Sequence, residues 1–216
     1  IVSGAAIIWM IEHDNSLSGQ PLVNQLTNAL FLSVTSRTAG FNTVDLSLMT
    51  NATLFLVIML MFIGGCPGST AGGIKVTVFA VLCAYIRSNI KGTSLVSLFK
   101  RKIPDSAVQR SLTVFFISFI IISYALLLLV RIETMAQVWG LPQESFLDLF
   151  FESVSAFGTV GLSTGITPHL SILGKGIIII LMFIGRIGPL TLGFALQNLQ
   201  KKDIPFEYPQ EEVIVT

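Results

Sequence analysis

Thr38-Ala39-Gly40-Phe41-Asn42-Thr43 recurs 121 residues later as Thr159-Val160-Gly161-Leu162-Ser163-Thr164. At the same offset Leu60-Met61-Phe62-Ile63-Gly64 recurs as Leu181-Met182-Phe183-Ile184-Gly185, so the chain holds two copies of one unit. Ahead of the shorter motif, Phe31-Leu32-Ser33-Val34-Thr35 resembles Phe151-Glu152-Ser153-Val154-Ser155 after a slip of one residue. Each copy reads as an outer helix, a short helix, a Thr-x-Gly segment and a second long helix.

The solvent for these units follows from composition. The 216 residues are 52% hydrophobic and 12% charged, against roughly 25% charged residues in an ordinary soluble domain. That excludes a soluble globular domain, and the high apolar content excludes a solvated disordered segment. A formal net charge of +1 offers no basic face for nucleic acid. Cys66 and Cys83 lie in apolar stretches and read as small hydrophobes, with no disulfide framework or zinc spacing.

An all-α polytopic membrane protein remains. Residues 111–132 form a simple crossing helix, about 22 residues long. Residues 52–86 exceed one straight crossing and are interrupted by Gly64-Gly65-Cys66-Pro67-Gly68-Ser69-Thr70-Ala71-Gly72-Gly73, which disfavours helix, so they read as a broken membrane helix. Residues 172–199 are long enough to cross but carry Arg186, then Gly188 and Pro189. Residues 1–11 are about half a span and run into Glu12, His13 and Asp14, with no signal-peptide pattern; the expectation is a fragment cut within a helix.

Two repeats result, residues 1–86 and 111–199, joined by a linker at 87–110 and followed by a tail at 200–216. Arg87, Lys91, Lys100, Arg101, Lys102 and Arg110 face one acid, Asp105, and the tail adds Lys201 and Lys202; linker and tail are therefore expected in the cytoplasm. Trp9 and Trp139 then fall near the opposite interface as anchors, on the side of the Thr-x-Gly mouths.

The short helices, residues 21–36 and 144–157, have too few residues to cross and return, so they must be re-entrant. Extended backbone at membrane depth is tolerated only where protein buries it or water reaches it, which makes residues 37–43 and 158–164 pore-lining candidates. A cation must exchange its hydration shell for protein oxygens, and crowded extended backbone supplies carbonyls. Glycine at 40 and 161 permits close approach to an axis, and the threonines add hydroxyls. The carbonyl ends of the short helices add partial negative charge. The candidate ion-binding residues are Thr38, Ala39, Gly40, Phe41 and Asn42, with Thr159, Val160, Gly161, Leu162 and Ser163. One Thr-x-Gly triplet is a common turn. Two copies, each 24 positions before a matching glycine, Gly64 or Gly185, favour a pore over ordinary helix-packing glycines.

With Ser36-Arg37-Thr38-Ala39-Gly40-Phe41-Asn42-Thr43, the run from Phe62 to Lys75 and Phe183-Ile184-Gly185-Arg186-Ile187-Gly188-Pro189, the chain resembles the Trk/Ktr/HKT superfamily of potassium transporters, and within it the Ktr-type membrane subunit. The resemblance implies helix–pore-helix–helix repeats of the potassium-channel type, four to a chain, of which these two look like the third and fourth. It implies potassium uptake across a bacterial plasma membrane, potassium as substrate and no cofactor in this chain. It also implies a membrane homodimer on a cytosolic ring of nucleotide-binding regulatory subunits. Neither copy has the longer Thr-Val-Gly-Tyr-Gly filter of tetrameric potassium channels, which implies fewer ordered sites.

Residues Gly64, Gly65, Cys66, Pro67, Gly68, Ser69, Thr70, Ala71, Gly72 and Gly73 look like the family's intramembrane gating loop; the plainer reading is a static kink. A phosphate loop is excluded because Ile74 stands where that motif requires lysine. Arg186, costly in lipid, is expected to face the path as an electrostatic barrier, the plainer reading being a structural pairing. His13 and His169 read as solvated loop histidines without metal-ligand spacing. Asp45 fits either a cation-concentrating mouth or a solvated loop acid. Glu144 and Asp148 suit a helix start. Glu152, inside a re-entrant helix, is a candidate to hold nearby backbone, with no partner legible. Lys75 fits the pore or the end of the loop. The alternatives are a two-repeat potassium channel subunit that dimerises and an intramembrane hydrolase, for which no nucleophile–base set exists.

Overall fold

The computed structural model describes residues 1–92, 96–98, 101–135 and 145–188. Seven α-helices carry the fold: α1 Val2–Glu12, α2 Leu22–Thr35, α3 Asn51–Phe62, α4 Val76–Ile90, α5 Asp105–Met135, α6 Ser145–Gly158 and α7 Ile172–Ile187. The two copies take matching shapes. α1 packs on α2 and α3, as α5 packs on α6 and α7, and α6 sits between α3 and α7 where the copies join. Val57 and Met61 of α3, Leu129 of α5, Phe151 and Phe157 of α6 and Leu181 of α7 fill the shared core. Among the described residues one helix, Asp105–Thr134, is long and apolar enough to cross a membrane, while α1, α3 and α4 are shorter apolar helices.

A buried strut repeats in both copies. At the end of α1, Glu12 accepts from the Thr50 amide at 2.9 Å and the Thr50 hydroxyl at 2.7 Å. At the same offset of 121 residues, Glu133 accepts from the Ser171 amide at 3.1 Å and hydroxyl at 2.8 Å. Thr50 and Ser171 also cap the helices they precede, accepting from the amides of Thr53 and Gly174. One carboxylate thus ties the outer helix to the cap of the second helix and satisfies an otherwise unpaired donor.

One feature is added to the expectations and two helix boundaries are corrected. In the linker Ser97–Leu98 pairs antiparallel with Arg101–Lys102, a hairpin whose flanks Val96 and Ile103 pack with Ala84, Tyr85 and Val108. The helix expected from 111 begins at Asp105, after Pro104, because a helix need not stop at the membrane boundary. The linker shortens accordingly. Helix α7 ends at Ile187 and not at 199, since Gly188 adopts φ +88 and leaves the helical path. The broken helix is broken where the glycines predict it, with α3 ending at Phe62, residues 63–75 forming a loop and α4 starting at Val76. Lys100, Trp139, Glu144, Pro189, Lys201, Lys202 and the tail lie outside the described residues.

Candidate permeation site

Helix α2 ends at Thr35 and α6 at Gly158, and each is followed by backbone of alternating handedness. Thr38 has φ +76 and Gly40 φ +77; Thr159 has φ +52 and Gly161 φ +90. Ala39 and Val160 between them do not share this conformation. A positive φ at a β-branched residue costs on the order of 1–3 kcal/mol and persists only where surroundings over-determine it.

Those surroundings include the other copy. A Cβ built on Gly40 would stand 2.4 Å from the Val160 carbonyl oxygen and 3.5 Å from Gly161 Cα. One on Gly161 would stand 3.6 Å from Gly40 Cα. The two Thr-x-Gly segments therefore touch backbone to backbone, at a separation that no side chain at Gly40 would allow.

Each segment is fastened to the helix that precedes it. The Thr35 hydroxyl donates to the Phe41 carbonyl at 2.6 Å and accepts from the Phe41 amide at 2.9 Å. In the second copy the Ser155 hydroxyl donates to the Leu162 carbonyl, also at 2.6 Å. The Phe41 and Leu162 carbonyls thus point back at α2 and α6. The slip between copies falls inside this turn: Ala39 donates to Thr35 four residues back, Val160 to Ser155 five back. Asn42 is exposed, and the Ser163 hydroxyl donates to Glu152, the partner that the sequence left unnamed. Thr35 and Ser155 escaped the sequence reading, although their alignment as hydroxyls one turn before the motif was a usable signal.

Beneath the second segment lies the glycine loop. Its neck is zipped by parallel pairing of Ile63 with Ile74, with the Gly64 amide donating to Ile74 at 2.8 Å and the Val76 amide to Gly65 at 3.1 Å. Residues Cys66, Pro67, Gly68, Ser69 and Thr70 are exposed, while Gly72 and Gly73 are buried. The Gly72 amide donates to Thr159 Oγ1 at 2.9 Å, and a Cβ on Gly72 would meet that threonine's Cγ2 at 2.7 Å. Ala71 receives the Lys75 ammonium at 2.5 Å, and Ser69 receives it at 3.2 Å. The Arg186 guanidinium donates to the Thr70 carbonyl. Arg37, which the sequence reading passed over, donates to the carbonyls of Ile63 at 2.7 Å and Gly64 at 3.3 Å. Three cationic side chains from three elements therefore hold this loop by its carbonyls.

A cavity of about 520 Å³ runs along the second segment, with Glu152, Ser163, Gly161 and Thr159 on its wall and Met182 and Arg186 from α7. The remaining candidates lie apart from it. Asp45 caps the short turn at Leu46–Leu48 by accepting from the Ser47 amide and hydroxyl, which holds its carboxyl below the usual range. His13 pairs with Asp14 at 3.0 Å.

Over residues 1–202 the chain matches the TrkH family, described as a cation transport protein. The chain belongs to the TrkH family. It is 37% identical over its full length to the potassium/sodium uptake protein NtpJ of Enterococcus hirae, covering 47% of that protein. It is 38% identical to the Ktr system potassium uptake protein B of Bacillus subtilis, over 95% of this chain and 44% of that one. The protein of the same name from Vibrio alginolyticus is 38% identical, over 99% of this chain and 45% of its own length. The chain therefore spans somewhat under half the length of these relatives. The potassium transporter TrkH of Vibrio parahaemolyticus shares its fold, with a TM-score of 0.70 at 21% identity over 90% of this chain and 42% of that structure.

Proposed function

We propose that this TrkH-family chain forms two consecutive pore repeats of a potassium-uptake protein in a bacterial plasma membrane. Carbonyls of Thr38, Ala39 and Gly40 meet those of Thr159, Val160 and Gly161 around the path of a monovalent cation and replace its water. The observation that carries this reading is the backbone contact of Gly40 with Val160 and Gly161. The potassium-uptake relatives matched along the whole chain support it as well, and they disfavour a two-repeat channel subunit and an enzyme.

The loop Gly64–Gly73 is the gate. It sits under the second Thr-x-Gly segment, and Arg186 both holds it at Thr70 and places a positive charge below the carbonyls. The linker and tail face the cytoplasm, where a nucleotide-binding regulatory ring docks on a homodimer of the full-length membrane subunit. The hairpin at Arg101–Lys102 belongs to that face.

The test is potassium uptake by bacteria that lack their own uptake systems and express the full-length protein. Growth at low potassium with wild type, and its loss when Gly40 is replaced by serine at equal membrane abundance, is the expected result. Wild type that moves no alkali cation would end the proposal.

A further inference from the structure

Glu152 is an ionisable group to which neither the carbonyl path nor the loop assigns work. It stands on α6 at 5% exposure, and the Ser163 hydroxyl donates to its Oε1. A serine hydroxyl has one proton. With that proton committed, Ser163 Oγ accepts the Gly165 amide at 2.9 Å, and the Thr167 hydroxyl stands 3.0 Å from it. The carboxylate thus organises Ser163, Gly165 and Thr167 together.

Ser163 lies two residues beyond Gly161. Between them Leu162 is pinned through its carbonyl by Ser155. Consecutive residues past the contact glycine are therefore tied to α6, one by main chain and one by side chain. The first copy has the main-chain tie, Thr35 to Phe41, and its side-chain tie to α2 is an exposed one between neutral groups, Thr43 to Asn28 at 3.1 Å. At the position of Glu152 it carries Leu32, equally buried at 5%, and at the position of Ser163 it carries exposed Asn42. A leucine suffices to fold the repeat, so folding does not demand the acid, and a buried carboxylate is costly without a return elsewhere. Glu152 also shares the wall of the cavity that reaches Thr159 and Gly161.

We infer that Glu152 is a positioning residue for the permeating ion, acting through Ser163. It fixes the second Thr-x-Gly segment more tightly than the first, and so sets the apparent affinity for potassium and the preference over sodium. This rests on the transport reading above.

The test uses the full-length protein with E152Q, S163A and the double variant, measuring the potassium dependence of initial uptake, competition by sodium and the amount of folded protein. In E152Q the amide oxygen still accepts from Ser163 but carries no charge, and that weakening by about 1 kcal/mol predicts a KM for potassium raised about five- to tenfold, with weaker rejection of sodium and a maximal rate per folded molecule within about twofold of wild type. S163A should do the same, and the double variant should be no worse than the worse single one, because both act through one bond. Wild-type KM and sodium rejection in both single variants, or effects that multiply in the double, would overturn the inference while leaving transport standing. If E152Q does not fold, S163A, which removes only a hydroxyl, decides alone. A wild type without potassium uptake would overturn the transport reading and this role with it.

Discussion

At Gly40 two separate demands exclude a side chain. Its φ of +77 is one, and the Val160 carbonyl oxygen 2.4 Å from an added Cβ is the other. Gly19 has the same φ of +77 with nothing within 4 Å of an added Cβ, so the pair separates strain from contact. A left-handed alanine costs roughly 1–2 kcal/mol. Gly19→Ala in the full-length protein should therefore lower stability slightly and leave uptake within about twofold, because strain of that size at an open loop does not reach the path. Gly40→Ala should reduce potassium uptake by at least about tenfold at equal membrane abundance, since the methyl must push the facing backbones apart. Equal losses for the two variants would show that strain alone matters. The hydroxyl clamps give a second prediction. Ser155→Ala leaves the buried Leu162 carbonyl without its donor, and should cost about 1–3 kcal/mol in the unfolding of the purified full-length protein.

Among elements, the loop between α3 and α4 is the one whose contacts predict movement. Its middle is exposed, and it is held by Arg37 and Arg186, which reach in from other elements, and by its own Lys75. Removing the guanidinium in Arg186→Ala frees the Thr70 carbonyl and deletes the charge below the segment, so ion flux through the full-length protein should rise. Unchanged flux with intact folding would remove Arg186 from the gate. Gly72→Ala should act in the same direction, because its methyl would collide with Thr159 and lift the loop from the segment. The break at this loop was legible because glycine and proline deny a helix its propensity and its amide, and the short helices before the two Thr-x-Gly segments were legible from the repeat. The struts were not: Glu12 and Thr50 are 38 residues apart, and nothing in either residue type announces the other. Arg37 was missed for a related reason. Its partners are backbone carbonyls of Ile63 and Gly64, which every residue possesses and no pattern marks. The linker hairpin escaped because two-residue strands rich in basic residues leave no periodicity to read.

For the whole molecule, the two copies can be used to measure what each lacks. Ile58 and Met61 are 1% and 0% exposed on α3, which packs against α6 and α1. Their counterparts on α7, Ile179 and Met182, are 65% and 47% exposed. On the other side, Phe151 and Val154 of α6 are buried at 0% and 1%, whereas Phe31 and Val34, their counterparts on α2, are 38% and 43% exposed. Helix α7 thus presents the surface that in the first copy receives α6. Helix α2 presents the surface that in the second copy receives a helix like α3. Two copies related in this way are neighbours in an arc with unlike, complementary ends, and further repeats of the same kind would join those ends around the carbonyls. A carbene-generating probe dissolved in the lipid distinguishes such covered faces from a lipid-facing one. Phe116, Phe119 and Ile120 on α5 are 56–62% exposed on the helix that is long enough to cross, and they should be labelled strongly in the full-length protein. Ile179, Met182, Phe31 and Val34 should be labelled about as weakly as Ile58, although in this chain they are nearly as open as the α5 residues. Labelling of Ile179 at the level of Ile120 would mean that α7 faces hydrocarbon in the assembled protein, and that the path is closed by something other than a further repeat.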